Sequence, residues 1–307
     1  MSTKNNILTF LLLLTGICLI WMETRPEFSF SLLNFRSCDC DTLTSTDVDP
    51  WFITHFNRSV EPFMSTKNNI SERHFNWWKK LQYDRRNYAY YKATVEKLFQ
   101  LLPSPPDEPS SGRCRTCSVV GNSGNLNDAH YGPLIDHQDL VIRINKGQTE
   151  GYEQHVGTRT THRVMYPESA SNISSNDTHI VLFPFKTKDL EWIIKATKTG
   201  LIGRQHSTKK GLVMVVNPSF MKYVHEIWLG KKGKYPSTGF MTLVLAIHLC
   251  EEVHVFGYGA DSDGNWSHYW EELLNKKLRT GNHSGKHEYG IILKLAQSQK
   301  VKFYTGY

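Results

Sequence analysis

From Arg113 to the C-terminus, short β-branched runs alternate with stretches of helical periodicity, and no other feature limits the possible folds as much. The runs fall at residues 117–120, 140–144, 163–166, 179–183, 212–216, 253–256 and 301–304. Helical candidates between many of them cover 189–199, 219–229, 239–249, 268–278 and 288–299. Strands alternating with helices indicate an α/β fold, because each crossover helix returns the chain to the same end of the sheet. The expectation is a doubly wound, mostly parallel, seven-stranded sheet. Ligands of such sheets bind beyond the carboxyl ends of the strands. The residues just after each run are therefore where chemistry is sought.

Upstream of the alternation, residues 73–100 have a helical look carried by Trp77, Trp78, Leu81, Tyr90, Val95, Leu98 and Phe99. Residues 103–112 (PSPPDEPSSG) form a loop by composition. Near the N-terminus, residues 7–21 (ILTFLLLLTGICLIW) are almost unbroken apolar, preceded by Lys4 and followed by Glu23 and Arg25. A cleaved signal peptide has a similar apolar length. Trp21, Met22 and Glu23 make a poor cleavage site, so an uncleaved signal anchor is expected. The resulting organisation is a cytoplasmic tail at 1–6, a membrane segment at 7–22, a stem at 23–50 and a lumenal catalytic domain at 51–307.

Acceptor tripeptides for N-glycosylation at Asn57, Asn69, Asn172, Asn176, Asn265 and Asn282 agree with a lumenal location. Asn265 and Asn282 flank two histidines of interest, where a glycan would obstruct a site, so both are expected to be unmodified. The net charge of +7 comes from dispersed basic residues rather than one basic helix or arm. Nucleic-acid binding is therefore not expected; attraction to an anionic substrate or a solvated surface accounts for the charge.

Cys18 lies within the apolar run, leaving Cys38, Cys40, Cys114, Cys117 and Cys250 in the lumenal part. Cys114-Arg-Thr-Cys117 invites a zinc or redox reading. Zinc needs a second pair of ligands, and Cys38-Asp-Cys40 is a cramped one. A redox dithiol precedes a helix, whereas Cys117 leads into a strand. Long-range structural disulfides fit an oxidising lumen better. Five cysteines leave one over, free or available to another chain, so a disulfide-linked or other homo-oligomer stays open.

Four polar constellations stand at or after strand ends. Gly121-Asn-Ser-Gly-Asn125 follows the first run, where glycine permits close backbone approach and Asn122 and Ser123 offer hydrogen-bonding groups. Asn145 ends the second run. Tyr235-Pro-Ser-Thr-Gly239 leads into an apolar helix whose unpaired N–H groups suit a phosphate or carboxylate. Capping alone would also explain Ser237 and Thr238. Finally, His268-Tyr-Trp-Glu271 and His283, spaced H-x4-E from Glu288, supply imidazoles that titrate near neutrality. Together they describe a pocket for an anionic, nucleotide-like donor with a base beside it. Asp261-Ser-Asp263 has the look of a metal-binding D-x-D, but Asp and Gly are common in turns. It is read as a turn, and no metal is expected.

Residues 113–158 (beginning CRTCSVVGNSGNL) resemble the large motif of animal sialyltransferases, and residues 217–259 resemble their small motif. His268-Tyr-Trp-Glu271 is similar to the third motif and His283-x4-Glu288 to the very small motif. Tyr166-Pro-Glu-Ser169, Pro184-Phe-Lys-Thr187, Asp189-Leu-Glu-Trp192 and Tyr235-Pro-Ser-Thr-Gly239 are most similar to the β-galactoside α2,3-sialyltransferases acting on Galβ1-3GalNAc.

The resemblance implies a single-pass type II Golgi membrane enzyme with a variant GT-A (Rossmann-like) fold. It would transfer sialic acid from CMP-sialic acid to a galactose 3-hydroxyl of glycoprotein or glycolipid acceptors, with inversion and without a metal or other cofactor. By the same resemblance His283 is the catalytic base and His268 the histidine at the donor phosphate. Asn122 and Asn145 are similar to nucleotide-contacting asparagines, and Tyr235, Gly239 and Gly259 to donor-site positions beside Ser237 and Thr238. Gln82 is similar to a substrate-contacting glutamine. The family's disulfides map onto Cys40–Cys114 and Cys117–Cys250. Two departures stand out: Leu43 replaces a cysteine of close relatives, and the loop 200–212 is shorter and lacks their substrate-contacting tyrosine. Rival readings are a sialyltransferase for a different galactoside, or a catalytically silent lumenal glycan-binding protein.

Overall fold

A computed structural model describes residues 49–68, 70–102, 114–170, 178–199, 213–271 and 281–306. These residues belong to one unit spanning Cys40–Tyr307. The expected anchor, the stem, Cys38, Cys40 and the loop 200–212 lie outside the described residues, as do the acceptor sites Asn69, Asn172 and Asn176. Among the described residues no helix is long and apolar enough to cross a membrane.

The sheet has seven strands: β1 (Thr116–Val120), β2 (Leu140–Ile144), β3 (His162–Met165), β4 (His179–Leu182), β5 (Val213–Val215), β6 (Glu252–Phe256) and β7 (Lys302–Tyr304). Their order is β5-β4-β3-β2-β1-β6-β7, and every pairing is parallel. "Mostly parallel" was the expectation; the sheet is wholly so. Four consecutive residues of β1, β2 and β6 are buried, as expected of strands covered on both faces. The chain winds outward from β1 to β5 and then returns to place β6 on the other flank of β1. That reversal opens a crevice at the carboxyl ends of β1 and β6.

Helices among the described residues are α1 (Pro50–His55), α2 (Glu72–Trp78), α3 (Tyr88–Leu101), α4 (Gly132–His137), α5 (Glu153–Val156), α6 (Thr187–Lys198), α7 (Pro218–Tyr223), α8 (Thr238–Leu249) and α9 (Gly285–Gln297). The π-helical turn Val224–Trp228 prolongs α7. The core is built around α8, whose residues from Phe240 to Ile247 are all buried. A helix apolar on every side has no solvent face to offer and must lie inside. It packs against β1, β2, β3 and β6. Each of its fully buried leucine, valine and phenylalanine side chains contributes about 1.5–3 kcal/mol relative to exposure.

Two expectations for helices fail. The stretch 73–100 is two helices, not one, separated by a turn in which Asp84 N–H donates to Lys79 O at 2.8 Å. Trp78, wholly buried, pins α2 by donating Nε1–H to Pro184 O at 2.7 Å, which brings that turn to the end of β4. The candidate helix 268–278 is not helical where it is described. His268 instead forms an antiparallel bridge with Ser123, and Tyr269 N–H donates to Asn122 O at 3.0 Å. Residues 272–280 lie outside the described residues.

Cys117 and Cys250 form a disulfide across 133 residues of sequence, with Cα atoms 6.0 Å apart. It ties the start of β1 to the end of α8. Cys114 is disulfide-bonded too. Replacing Cys117 and Cys250 by alanine is expected to lower the unfolding free energy by about 2–5 kcal/mol, read from denaturant curves under oxidising conditions.

At the other flank, Glu252 Oε1 accepts from His254 Nε2 at 2.6 Å and from Lys302 Nζ, joining β6 to β7. The His254 hydrogen bond, aided by Lys302 and opposed by burial, holds the Glu252 carboxyl at about 2 against an ordinary 4.5. A depressed carboxylate stabilises the fold above its unfolded pKa and loses that contribution as pH falls through the folded one. Stability should therefore fall between pH about 4.5 and about 2, and Glu252→Gln should show a shallower fall when melting temperature is followed against pH.

Candidate active site

At the crevice, the first residues beyond β1 and β6 are both glycine, and their backbones touch. A Cβ on Gly121 would lie 2.2 Å from Gly257 O, so no larger residue fits there without displacing main chain. The two loops are then stitched together. Gly121 N–H donates to Phe256 O at 2.8 Å and Ser123 N–H to Gly257 O at 3.0 Å. Ser123 Oγ donates to Gly259 O at 2.7 Å and Asn125 Nδ2 to Tyr258 O at 2.8 Å.

A cavity of about 490 Å³ opens over this contact, a volume suited to a nucleotide-sized ligand. Gln82, Asn122, Ser123, Asn145, Tyr235 and Ser237 all line it. So do Thr238, Gly239, Gly259, His268 and His283, which brings every candidate site residue singled out in the sequence to one cleft. Asp261 does not line it. Its carboxylate accepts from the Asp263 and Asn265 amides at 3.0 and 2.7 Å, closing a turn. Among the described residues no three His, Cys, Asp or Glu side chains are grouped to hold a metal. Asn265 is buried, 8% exposed, and closed to a bulky glycan, whereas Asn282 is exposed.

His283 is held by its Nδ1, which lies 3.0 Å from Tyr235 O. A carbonyl only accepts, so Nδ1 carries the proton of the neutral ring and Nε2 carries the lone pair. The Tyr235 ring meets the imidazole edge-on, with centroids 4.8 Å apart. His268 is held differently: Nδ1 bonds Glu271 Oε2 at 2.7 Å and the ring stacks on Trp270 at 4.7 Å. Each imidazole thus has one nitrogen committed to orientation.

Ser237 caps α8, its Oγ accepting from Phe240 N at 3.1 Å. Its own N–H donates to Glu288 Oε1 at 2.8 Å. Glu288 is buried in the first turn of α9, and burial pushes its carboxyl up, opposed by the Ser237 hydrogen bonds and the nearby His283. Glu288 bridges two helix starts, joining the α8 cap to the segment that bears His283.

On the facing wall, Asn122 Nδ2 donates to Ile144 O at 3.2 Å, while its Oδ1 is buried without a hydrogen-bond partner. An orphaned acceptor on a cleft wall calls for a donor on the ligand. Asn145, in the left-handed region at φ 53°, accepts from Ser169 Oγ at 2.9 Å through Oδ1. Gln82 Oε1 accepts from Lys186 Nζ at 2.8 Å.

Tyr258, Phe185 and Trp266, none of them singled out from the sequence as site residues, also line the cavity. Tyr258 donates its hydroxyl to Gly239 O at 2.8 Å, and burial pushes its phenol far above the ordinary range, so it stays a neutral donor. Its place between Gly257 and Gly259 at a strand end was the available signal.

The family model of glycosyltransferase family 29 (sialyltransferase) matches residues 63–300. The chain is 42% identical over 285 residues to CMP-N-acetylneuraminate-beta-galactosamide-alpha-2,3-sialyltransferase 1 of Gallus gallus, covering 88% of this chain and 83% of that one. To the Mus musculus protein of the same name it is 40% identical over 312 residues, covering 95% and 92%. A crystal structure of a mammalian sialyltransferase superposes with a TM-score of 0.78 at 40% identity, covering 86% of this chain and 97% of that one. A second, in complex with Gal-beta-1-3GalNAc-ortho-nitrophenol, superposes with a TM-score of 0.77 at 39% identity, again over 86% and 97%. With matched motifs, sheet and cleft, the chain belongs to glycosyltransferase family 29, the sialyltransferases.

Proposed function

We propose that this chain transfers sialic acid from CMP-sialic acid to the 3-hydroxyl of terminal galactose in Galβ1-3GalNAc glycans, with inversion and without a metal. The observation that carries the reading is the bond from His283 Nδ1 to Tyr235 O, which fixes the tautomer and the orientation of an imidazole that lines the cleft. The names of the relatives and the disaccharide in one solved neighbour support this donor, linkage and acceptor.

The cytidine monophosphate portion is read into the crevice between β1 and β6, against Asn122, Ser123, Asn145 and Gly259. A ligand hydroxyl or amine would satisfy Asn122 Oδ1. The phosphate is read at the start of α8, where the helix N–H groups beyond Ser237 offer partial positive charge. His268 and the Tyr235 hydroxyl complete that seat. The acceptor galactose takes the remaining wall, formed by Gln82, Tyr166, Phe185 and Tyr235.

In the transfer, His283 Nε2 takes the proton of the galactose 3-hydroxyl as that oxygen attacks the anomeric carbon of sialic acid. The bond from that carbon to the phosphate oxygen breaks, and cytidine monophosphate leaves with the electron pair. Negative charge developing on the phosphate is met by His268 and the α8 start, groups already oriented before the reaction. Glu288 acts through others, keeping the α8 cap and the His283 segment in register. The apolar run at residues 7–21 supports a type II Golgi membrane placement with this domain lumenal.

His283→Ala is expected to lower the transfer rate by about 10²–10⁴-fold, while CMP binding by calorimetry changes less than about twofold. Unchanged transfer by this variant removes the assignment. Excess chelator should leave the rate unaltered; a loss that Mn²⁺ restores would return Asp261 and Asp263 to consideration as ligands.

A further inference from the structure

Just outside the cleft stands a pair of residues that the transfer reading does not use. Tyr83 directly follows Gln82 and Lys234 directly precedes Tyr235, and both of those neighbours line the cavity. Lys234 Nζ lies 4.4 Å from the centroid of the Tyr83 ring, within cation–π range, so the two chain segments meet at the rim. The ring is 80% exposed.

Tyr83 is held there against local preference. Its φ is 55°, in a helix-ending turn closed by the Asp84 N–H to Lys79 O bond, a position where glycine is the usual residue. A bulky side chain in the left-handed region crowds its own backbone, a steric cost that glycine does not carry. The turn is nonetheless rigid: the buried Asp84 carboxylate accepts from the Thr187 and Arg86 amides at 2.6 and 3.1 Å. An exposed aromatic ring on a strained, docked turn is a presented surface rather than a packing element.

Lys234 is fixed equally well. Its N–H donates to Asn282 O at 2.8 Å, beside His283. The loop before it carries Lys231 and Lys232, both exposed, and a Cβ on Gly233 would lie 2.9 Å from Ser284 N. His225 Nε2 holds the same loop through Gly233 O at 3.1 Å. Lys234 thereby holds an ammonium group at the rim adjoining the proposed galactose wall, with Lys231 and Lys232 exposed on the loop that leads to it. The aromatic ring and the ammonium group beside it suit a polar, charged carrier better than a lipid tail.

We propose that Tyr83 and Lys234 form an outer acceptor subsite for the carrier of the glycan, and that the carrier it fits is a peptide bearing acidic residues beside the glycosylated position. This rests on the transfer reading above and names its substrate class. The ring stacks on the linkage region, while Lys234 pairs with a carrier carboxylate.

The test compares three acceptors of the same disaccharide: a glycopeptide with Asp and Glu flanks, one with Asn and Gln flanks, and the methyl glycoside. The expected result is a KM about three- to fivefold lower on the acidic peptide than on the neutral one, the size of an exposed ion pair, shrinking with added salt. Lys234→Gln should abolish that difference while KM for the methyl glycoside is retained. Tyr83→Gly should weaken both glycopeptides yet raise the melting temperature, because glycine accepts the backbone angle, so misfolding is not an explanation. Equal KM on both peptides in the wild type, or an undiminished acidic preference in Lys234→Gln, overturns the inference. So does a lower KM for the disaccharide on a lipid in neutral vesicles than on the acidic peptide. No transfer to any of the three acceptors overturns the transfer reading and this inference with it.

Discussion

Contact between two backbones underlies everything at the reactive edge. Gly121 and Gly257 let the loops leaving β1 and β6 meet without side chains between them. The hydrogen bonds of Ser123 and Asn125 to the Gly259 and Tyr258 carbonyls can form only because that approach is so close. The cleft floor is therefore main chain fixed by main chain. The cleft-lining residues Asn122 and Ser123 on one loop and Gly259 on the other inherit their places from it.

The second constraint is electrostatic. A buried carboxylate survives only where donors meet it, and Glu288 has the Ser237 N–H, with the His283 imidazole nearby. Its bond makes the α8 cap and the His283-bearing segment parts of one unit. The N–H groups proposed to meet the leaving phosphate and the imidazole proposed to take the hydroxyl proton are thus separated by a fixed span. Preorganisation of this kind is what lowers the cost of charge development in the transition state.

The sheet was the most legible part of the chain, because its central strands β1, β2 and β6 are short apolar runs buried on both faces. The large buried helix α8 was equally plain, since Thr242 is the one polar residue in the run 240–247. The short helices α4 and α5 went unread: six and four residues show no period. The break between α2 and α3 was hidden because Tyr83, rather than glycine, occupies its left-handed position. Residues 268–271 read as helix from composition, but pairing with Ser123 and Asn122 overrode local preference. At the site, the strand-end loops and both histidines could be found from type and position. Gln82 came from family likeness alone, and the bridge from Glu288 to Ser237 had no sequence signal, as 51 residues separate the partners.

The covalent cross-link and the chemistry sit at opposite ends of one strand. Cys117 stands near the beginning of β1, fastened to the tail of α8, while Gly121 follows its end. Mechanical anchorage is thereby kept away from the edge where ligands come and go. Loops that dress that edge are at liberty to diverge in length and character, and acceptor preference can drift among related chains, without slackening the frame that carries them.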